Sequence, residues 1–152
     1  MAHANVNIEE IVNDVLIGIN RDTGLSFIHP DENTWLVDLR STQVHIKNND
    51  PWITSASVLM PDVQGDNKEE FYRGLLEMNG TINHLRIGIE QDMITLSSER
   101  PIGEITPMSI VDDLVFHQKG HEQLFERLSE KVHELGLLLP GGNEDKGLIP
   151  QF

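Results

Sequence analysis

Residues 66–100 constrain the fold more than any other stretch: a short amphipathic helix runs into an Asn-Gly pair, and two strands folded back on each other follow at once. Phe71, Leu75, Leu76 and Met78 fall close to one side of a 3.6-residue winding, and Gly80 is expected to take the positive φ that commonly ends a helix. Beyond it Leu85, Ile87 and Ile89 alternate with His84, Arg86 and Glu90. After a turn at Gln91-Asp92, Ile94, Leu96 and Ser98 alternate with Thr95, Ser97 and Glu99. The period of two describes a hairpin with one wet face.

The chain before this unit opens on a helix. Asn7 with Glu10 three residues on resembles a capping box, and Ile8, Ile11, Val12, Val15, Leu16 and Ile19 form a continuous stripe that Gly24 is placed to stop. The mostly β-branched stripe has mediocre helix propensity, so burial must hold it. Residues 25–33 are broken by Pro30 and Asp31 and read as a connection or a brief edge strand at 26–29. Three strands with short turns follow. The first turns Trp35, Val37 and Leu39 to one face, the second Val44 and Ile46, and the third Trp52, Ala56, Val58 and Met60. After the hairpin, Thr106 caps and Pro107 starts a long final helix with Ile110, Val111, Leu114, Val115, His121, Leu124, Phe125, Leu128, Val132 and Leu135 on its stripe and a kink expected at Gly120. The expected class is α+β: an antiparallel five-stranded sheet in the order α-β-β-β-α-β-β-α with its helices on one face. Residues 1–139 make one domain, and the Gly-rich residues 140–152 are expected to form a flexible tail.

The charge narrows the choice of partner. Lys and Arg number 11 against 25 Asp and Glu, a formal charge of −14 with no local basic cluster, so nucleic acid and anionic membranes are not expected as partners. No cysteine is present, which excludes thiolate metal sites and thiol nucleophiles. The first ten residues lack a basic-then-apolar signal, and no apolar run is long enough to span a bilayer, so a cytoplasmic protein is expected. No catalytic motif occurs, no cofactor is expected, and the chain does not read as an enzyme. One alternative class is a small-ligand or metal-binding protein. His117 and His121 stand i, i+4 on one helix, and His84 or Glu122 could complete a ligand set, although Gly120 between the histidines and the absence of an H-E-x-x-H motif speak against it.

With the strand faces as drawn, the side away from the helices is mostly polar, yet Leu36, Ile53, Leu59 and Met93 also land there and are candidates for a partner-binding patch. The element order resembles that of the CesT/Tir-type type III secretion chaperones and the related YbjN-like proteins. The resemblance is carried by Leu75-Leu76-Glu77-Met78-Asn79-Gly80 running into Leu85-Arg86-Ile87-Gly88-Ile89 and Ile94-Thr95-Leu96, then Pro101 and the final helix. It implies a non-catalytic homodimer that holds an extended segment of another polypeptide, such as a secreted effector. It also implies a dimer interface on the second helix and the strand after it, here Phe71, Leu75, Met78, His84 and Arg86.

Overall fold

The computed structural model describes residues 7–82 and 84–140. Its elements are α1 (Ile8–Thr23), β1 (Phe27–Asp31), β2 (Thr34–Asp38), β3 (Gln43–Asn49), β4 (Trp52–Pro61), α2 (Lys68–Asn79), β5 (Arg86–Glu90), β6 (Met93–Pro101), a single 3₁₀ turn at Ile102–Glu104, and α3 (Pro107–Glu134). The caps foreseen for α1 and α3 are in place. Asn7 Oδ1 accepts the Glu10 N–H at 3.0 Å, Gly24 closes α1 with φ 77°, and Thr106 and Ser109 exchange side-chain-to-backbone bonds around Pro107.

The sheet is antiparallel throughout, but it has six strands rather than five, in the order β1-β2-β3-β4-β6-β5. The added strand is β1. Pro30 lacks an N–H, and the register irregularity between Ile28 and Asp31 leaves it without a partner on β2, so the missing donor breaks no ladder. The Gln91-Asp92 turn has φ 51° and 62°, as the tight hairpin between β5 and β6 requires.

Two apolar clusters fill the space between sheet and helices. Ile8, Val12 and Leu16 of α1 pack with Trp35, Val37, Val44, Ile46, Ile53, Ile110 and Leu114; Phe71 and Leu75 of α2 pack with Leu59, Met60, Ile87, Ile94, Leu96, Leu124, Leu128 and Val132. Burying each large aliphatic side chain contributes about 1.5–3 kcal/mol, so α1 is held chiefly by its stripe. After α3 the chain doubles back. Leu138 exchanges two 2.8 Å backbone bonds with Gln64, and Leu137 packs over Gly65, where a Cβ would stand 2.7 Å from Leu137 Cδ2. The tail expected over 140–152 lies almost wholly outside the described residues.

Three local readings are corrected. β4 runs in the opposite phase: Ile53, Ser55 and Ser57 point inward, while Trp52, Ala56 and Val58 point outward, and an irregularity between Val58 and Met60 then buries Leu59 and Met60 together. Gly80 ends α2 with φ −73° rather than a positive φ. α3 runs unbroken through Gly120, whose role is close approach: a Cβ there would lie 3.0 Å from Leu96 Cδ1 and 3.3 Å from Leu85 Cδ1.

Candidate functional site

The antiparallel register sets the outer face of the sheet in rows. One row reads Ile28, Leu36, His45, Ala56, Ser97 and Arg86 across all six strands; beside it Thr95 stands between Val58 and Gly88, and on the other side Thr34, Lys47, Thr54 and Glu99 align. Ile28 is 57% exposed and Trp52, also on this side, 44%. Leu36, Ala56 and Val58 are half-buried and Thr95 is buried among these neighbours, so the face offers a shallow apolar strip with Thr34 and Thr54 on one side. The apolar clusters under the helices are built of inner-face residues, leaving this strip uncovered by any described helix.

Of the four residues expected in a patch, Leu36 belongs to the strip and Met93 stands half-buried at its far end, opposite Pro61. Ile53 and Leu59 do not. Both are core residues, 5% and 3% exposed, because β4 runs in the phase that turns Ile53 inward along with Ser55 and Ser57, and the irregularity after Val58 brings Leu59 in as well. The residues missed were Ile28, since a chain segment containing Pro30 gives no period-two signal, and Trp52, Ala56 and Val58, which the reversed phase of β4 turns outward.

The two edges of the sheet differ. At β5 the side-chain amide of Asn79 donates to the Ile87 carbonyl at 3.0 Å and accepts the Ile87 N–H at 2.6 Å, filling that edge at Ile87 from the end of α2. This explains the Asn-Gly pair better than a helix stop does. At β1, the Asp38 N–H bonds to the Ser26 carbonyl and Ile28 pairs with Leu36, so Phe27 and His29 direct their backbone groups to the open side.

The residues assigned to a dimer interface divide. Phe71 and Leu75 are 0% and 5% exposed within the chain's own core, and Met78 packs partly against it. His84 is exposed and stacked on Phe116 at 4.4 Å, and Arg86 donates to Glu99 at 3.0 Å. Leu76, 71% exposed on the same helix, is the larger free apolar surface.

The histidines do not assemble a metal centre. His117 is fully buried beneath α3, with Nε2 2.8 Å from Ser55 Oγ and Nδ1 2.7 Å from Ser57 Oγ; Ser55 Oγ in turn lies 3.3 Å from Ser98 Oγ. Burial pushes the imidazole pKa down to about 4, so the ring is neutral and accepts from one serine while donating to the other. His121 stacks on Phe125 at 5.2 Å, and its pKa is also lowered by burial. Among the described residues no group of three His, Cys, Asp or Glu side chains could share an ion. The ligand set His84, His117 and His121 is therefore not formed, because His117 faces the sheet and both its ring nitrogens are engaged.

Charge is segregated between the layers. The three helices carry 13 acidic side chains against six basic ones, Arg21, Lys68, Arg73, Lys119, Arg127 and Lys131, a net −7. The strands carry Asp31, Asp38, Glu90 and Glu99 against Lys47, Arg86 and Arg100, close to balance. No described helix is long and apolar enough to cross a membrane.

No protein-family model matches the chain, and no curated protein matches it by sequence. Solved structures match by fold. In the ExsC–ExsE complex the likeness covers 81% of this chain and 97% of that chain at 18% identity, with a TM-score of 0.60. In the HopA1–SchA chaperone–effector complex it covers 78% and 95% at 9% identity, with a TM-score of 0.56. YbjN, a putative transcription regulator from E. coli, is covered over 94% of its chain and 83% of this one at 15% identity, again with a TM-score of 0.56. The fold is that of the type III secretion chaperones and of YbjN.

Proposed function

We propose that the chain is a non-catalytic chaperone or adaptor that holds an extended segment of another polypeptide across the outer face of its sheet and along the free edge of β1. The observation that carries this reading is the open strip Ile28, Leu36, Ala56 and Val58 beside an edge strand with unused backbone groups, while the opposite edge is bonded at Ile87 by Asn79. An added strand gains main-chain hydrogen bonds from the edge and side-chain contacts from the strip. A solved chaperone–effector complex contains a protein of this fold, which is why a client polypeptide is favoured over a small ligand. The alternative built on His84, His117 and His121 has lost its ligand set.

A homodimer in the cytoplasm completes the proposal. Since Phe71 and Leu75 serve the core, the second copy would meet Leu76, Met78, His84 and Arg86. The test is affinity purification from the native cell of the wild type, of Ile28→Asp with Val58→Asp, and of Ile17→Asp, which alters an equally exposed apolar residue on the helical side. A polypeptide retained by the wild type and by Ile17→Asp but lost from the double variant supports the reading. Equal retention by all three, or retention lost only with Ile17→Asp, overturns it.

A further inference from the structure

On the inner side of β1, His29 ties its own strand to two other elements, β2 and α1. Its ring lies flat on that of Trp35 of β2, centroids 4.7 Å apart and planes within 3°. Nδ1 is 2.8 Å from the Thr34 carbonyl oxygen, and Nε2 is 2.8 Å from Glu9 Oε2 in the first turn of α1. Trp35 adds a second tie, its indole N–H donating to Asn13 Oδ1 of α1 at 2.8 Å.

A carbonyl oxygen has no proton to give, and neither has a carboxylate. Both ring nitrogens of His29 must therefore carry hydrogen for both bonds to exist, which only the imidazolium can do. The contrast with His117 is instructive: there both partners are hydroxyls, which donate or accept as required, and the ring stays neutral. We propose that His29 is a proton-controlled latch that fastens α1 and the free edge strand to the sheet as an imidazolium and releases one of its two bonds when it deprotonates.

The charged groups that reach the ring are Glu9 from α1 and Asp31 from β1, both acidic; β2 contributes the Thr34 carbonyl and the Trp35 face. The bond to Thr34 and then the bond to Glu9 raise the His29 pKa above its ordinary 6.5, with burial opposing them. With the folded-state value raised, the latch is complete below pH 6.5 and is lost as pH rises through that higher value. Closure is thus strongest under mildly acidic conditions, and on the alkaline side one of the two ties, to Thr34 or to Glu9, is given up while the Trp35–Asn13 bond remains. Any effect on client capture rests on the reading of β1 as the receiving edge, whereas the latch is read from His29 alone, so the two fail separately.

The test follows the His29 ring protons by NMR in the full chain, together with Trp35 emission in a Trp52→Phe background, from pH 5 to 9. An imidazolium stacked on an indole quenches it, so Trp35 emission should rise with the same midpoint as the His29 resonance, above 6.5. In Glu9→Gln, a conservative change at a half-buried residue, the midpoint should move down, and in His29→Gln the emission change should vanish. A His29 midpoint at or below 6.5 in the wild type, or one unmoved by Glu9→Gln, overturns the proposal.

Discussion

Replacing His117 tests the polar seam inside the core. The native state keeps this ring neutral down to about pH 4, whereas an unfolded chain takes up the proton near 6.5. Each decade of that interval corresponds to about 1.4 kcal/mol. The unfolded state binds the extra proton, so this side chain alone lowers folding stability by about 3 kcal/mol as pH falls from 7.5 to 4, and its slope fades out about one unit above 6.5. His117→Leu removes that slope. At pH 7.5 it also strands the Ser57 hydroxyl, which is fully buried, at a cost of about 1–3 kcal/mol. Urea midpoints for both proteins, taken at half-unit intervals from pH 4 to 7.5, should therefore approach or cross: the wild type more stable by about 2 kcal/mol at the top of the range, and level or less stable at the bottom. Every other titrating group, His29 included, is common to both and cancels in the difference. Adding Ser57→Ala should return part of the loss at pH 7.5 by removing the stranded hydroxyl. A wild-type-minus-variant difference that stays flat across the range would refute the reasoning.

Two further outcomes follow from close contacts. Gly120→Leu should destabilise by about 1–3 kcal/mol in urea unfolding, since even a Cβ there meets Leu96 and Leu85, whereas Gly120→Ala should stay near neutral as its gain in helix propensity offsets the tight fit. Asn79→Ala should cost about 1–3 kcal/mol and speed hydrogen exchange at the Ile87 amide far more than at the Ile94 amide, because it uncovers the β5 edge; equal protection in the variant would show that α2, not the Asn79 amide, covers that edge.

How much of this was legible depended on whether the local signal had one solution. α1 had one: cap, stripe and stop agreed, and its ends lie where the residues put them. The β5–β6 hairpin had one as well. In β4 the run Trp52 to Met60 alternates acceptably in either phase, and the choice was made by a partner far away in sequence, His117, which gives Ser55 and Ser57 somewhere to bond. That long-range decision moved Ile53 and Leu59 from the proposed surface into the core and left Leu36 in place. On α3 the same pairing exchanged the roles of two histidines: the sequence favours His121 on the apolar stripe, yet His117 is the buried ring and His121 stacks beside Phe125. The signal that could have found it is the spacing Ile110, Leu114, His117, Leu124, where a histidine occupies a core position on a helix facing a serine-bearing strand.

The segregation of charge bears on how the outer face could bind. A net charge of −14 suggests capture of basic segments by attraction, but half of it, −7, stands on the helices behind the sheet and only −1 on the strands. On the strands, Arg86 is already bonded to Glu99, and Lys47 lies between Thr34 and Thr54. Field from the far layer must pass around or through the domain and is screened within about 8 Å at physiological salt. It can steer a cationic client toward the molecule, yet contributes little once the segment lies on Ile28, Leu36 and Val58. A client held there should then show an association rate that falls with added salt and a dissociation rate that hardly changes, measured by surface-immobilised kinetics. A dissociation rate that rises steeply with salt would place the contact on the acidic helices instead of the sheet.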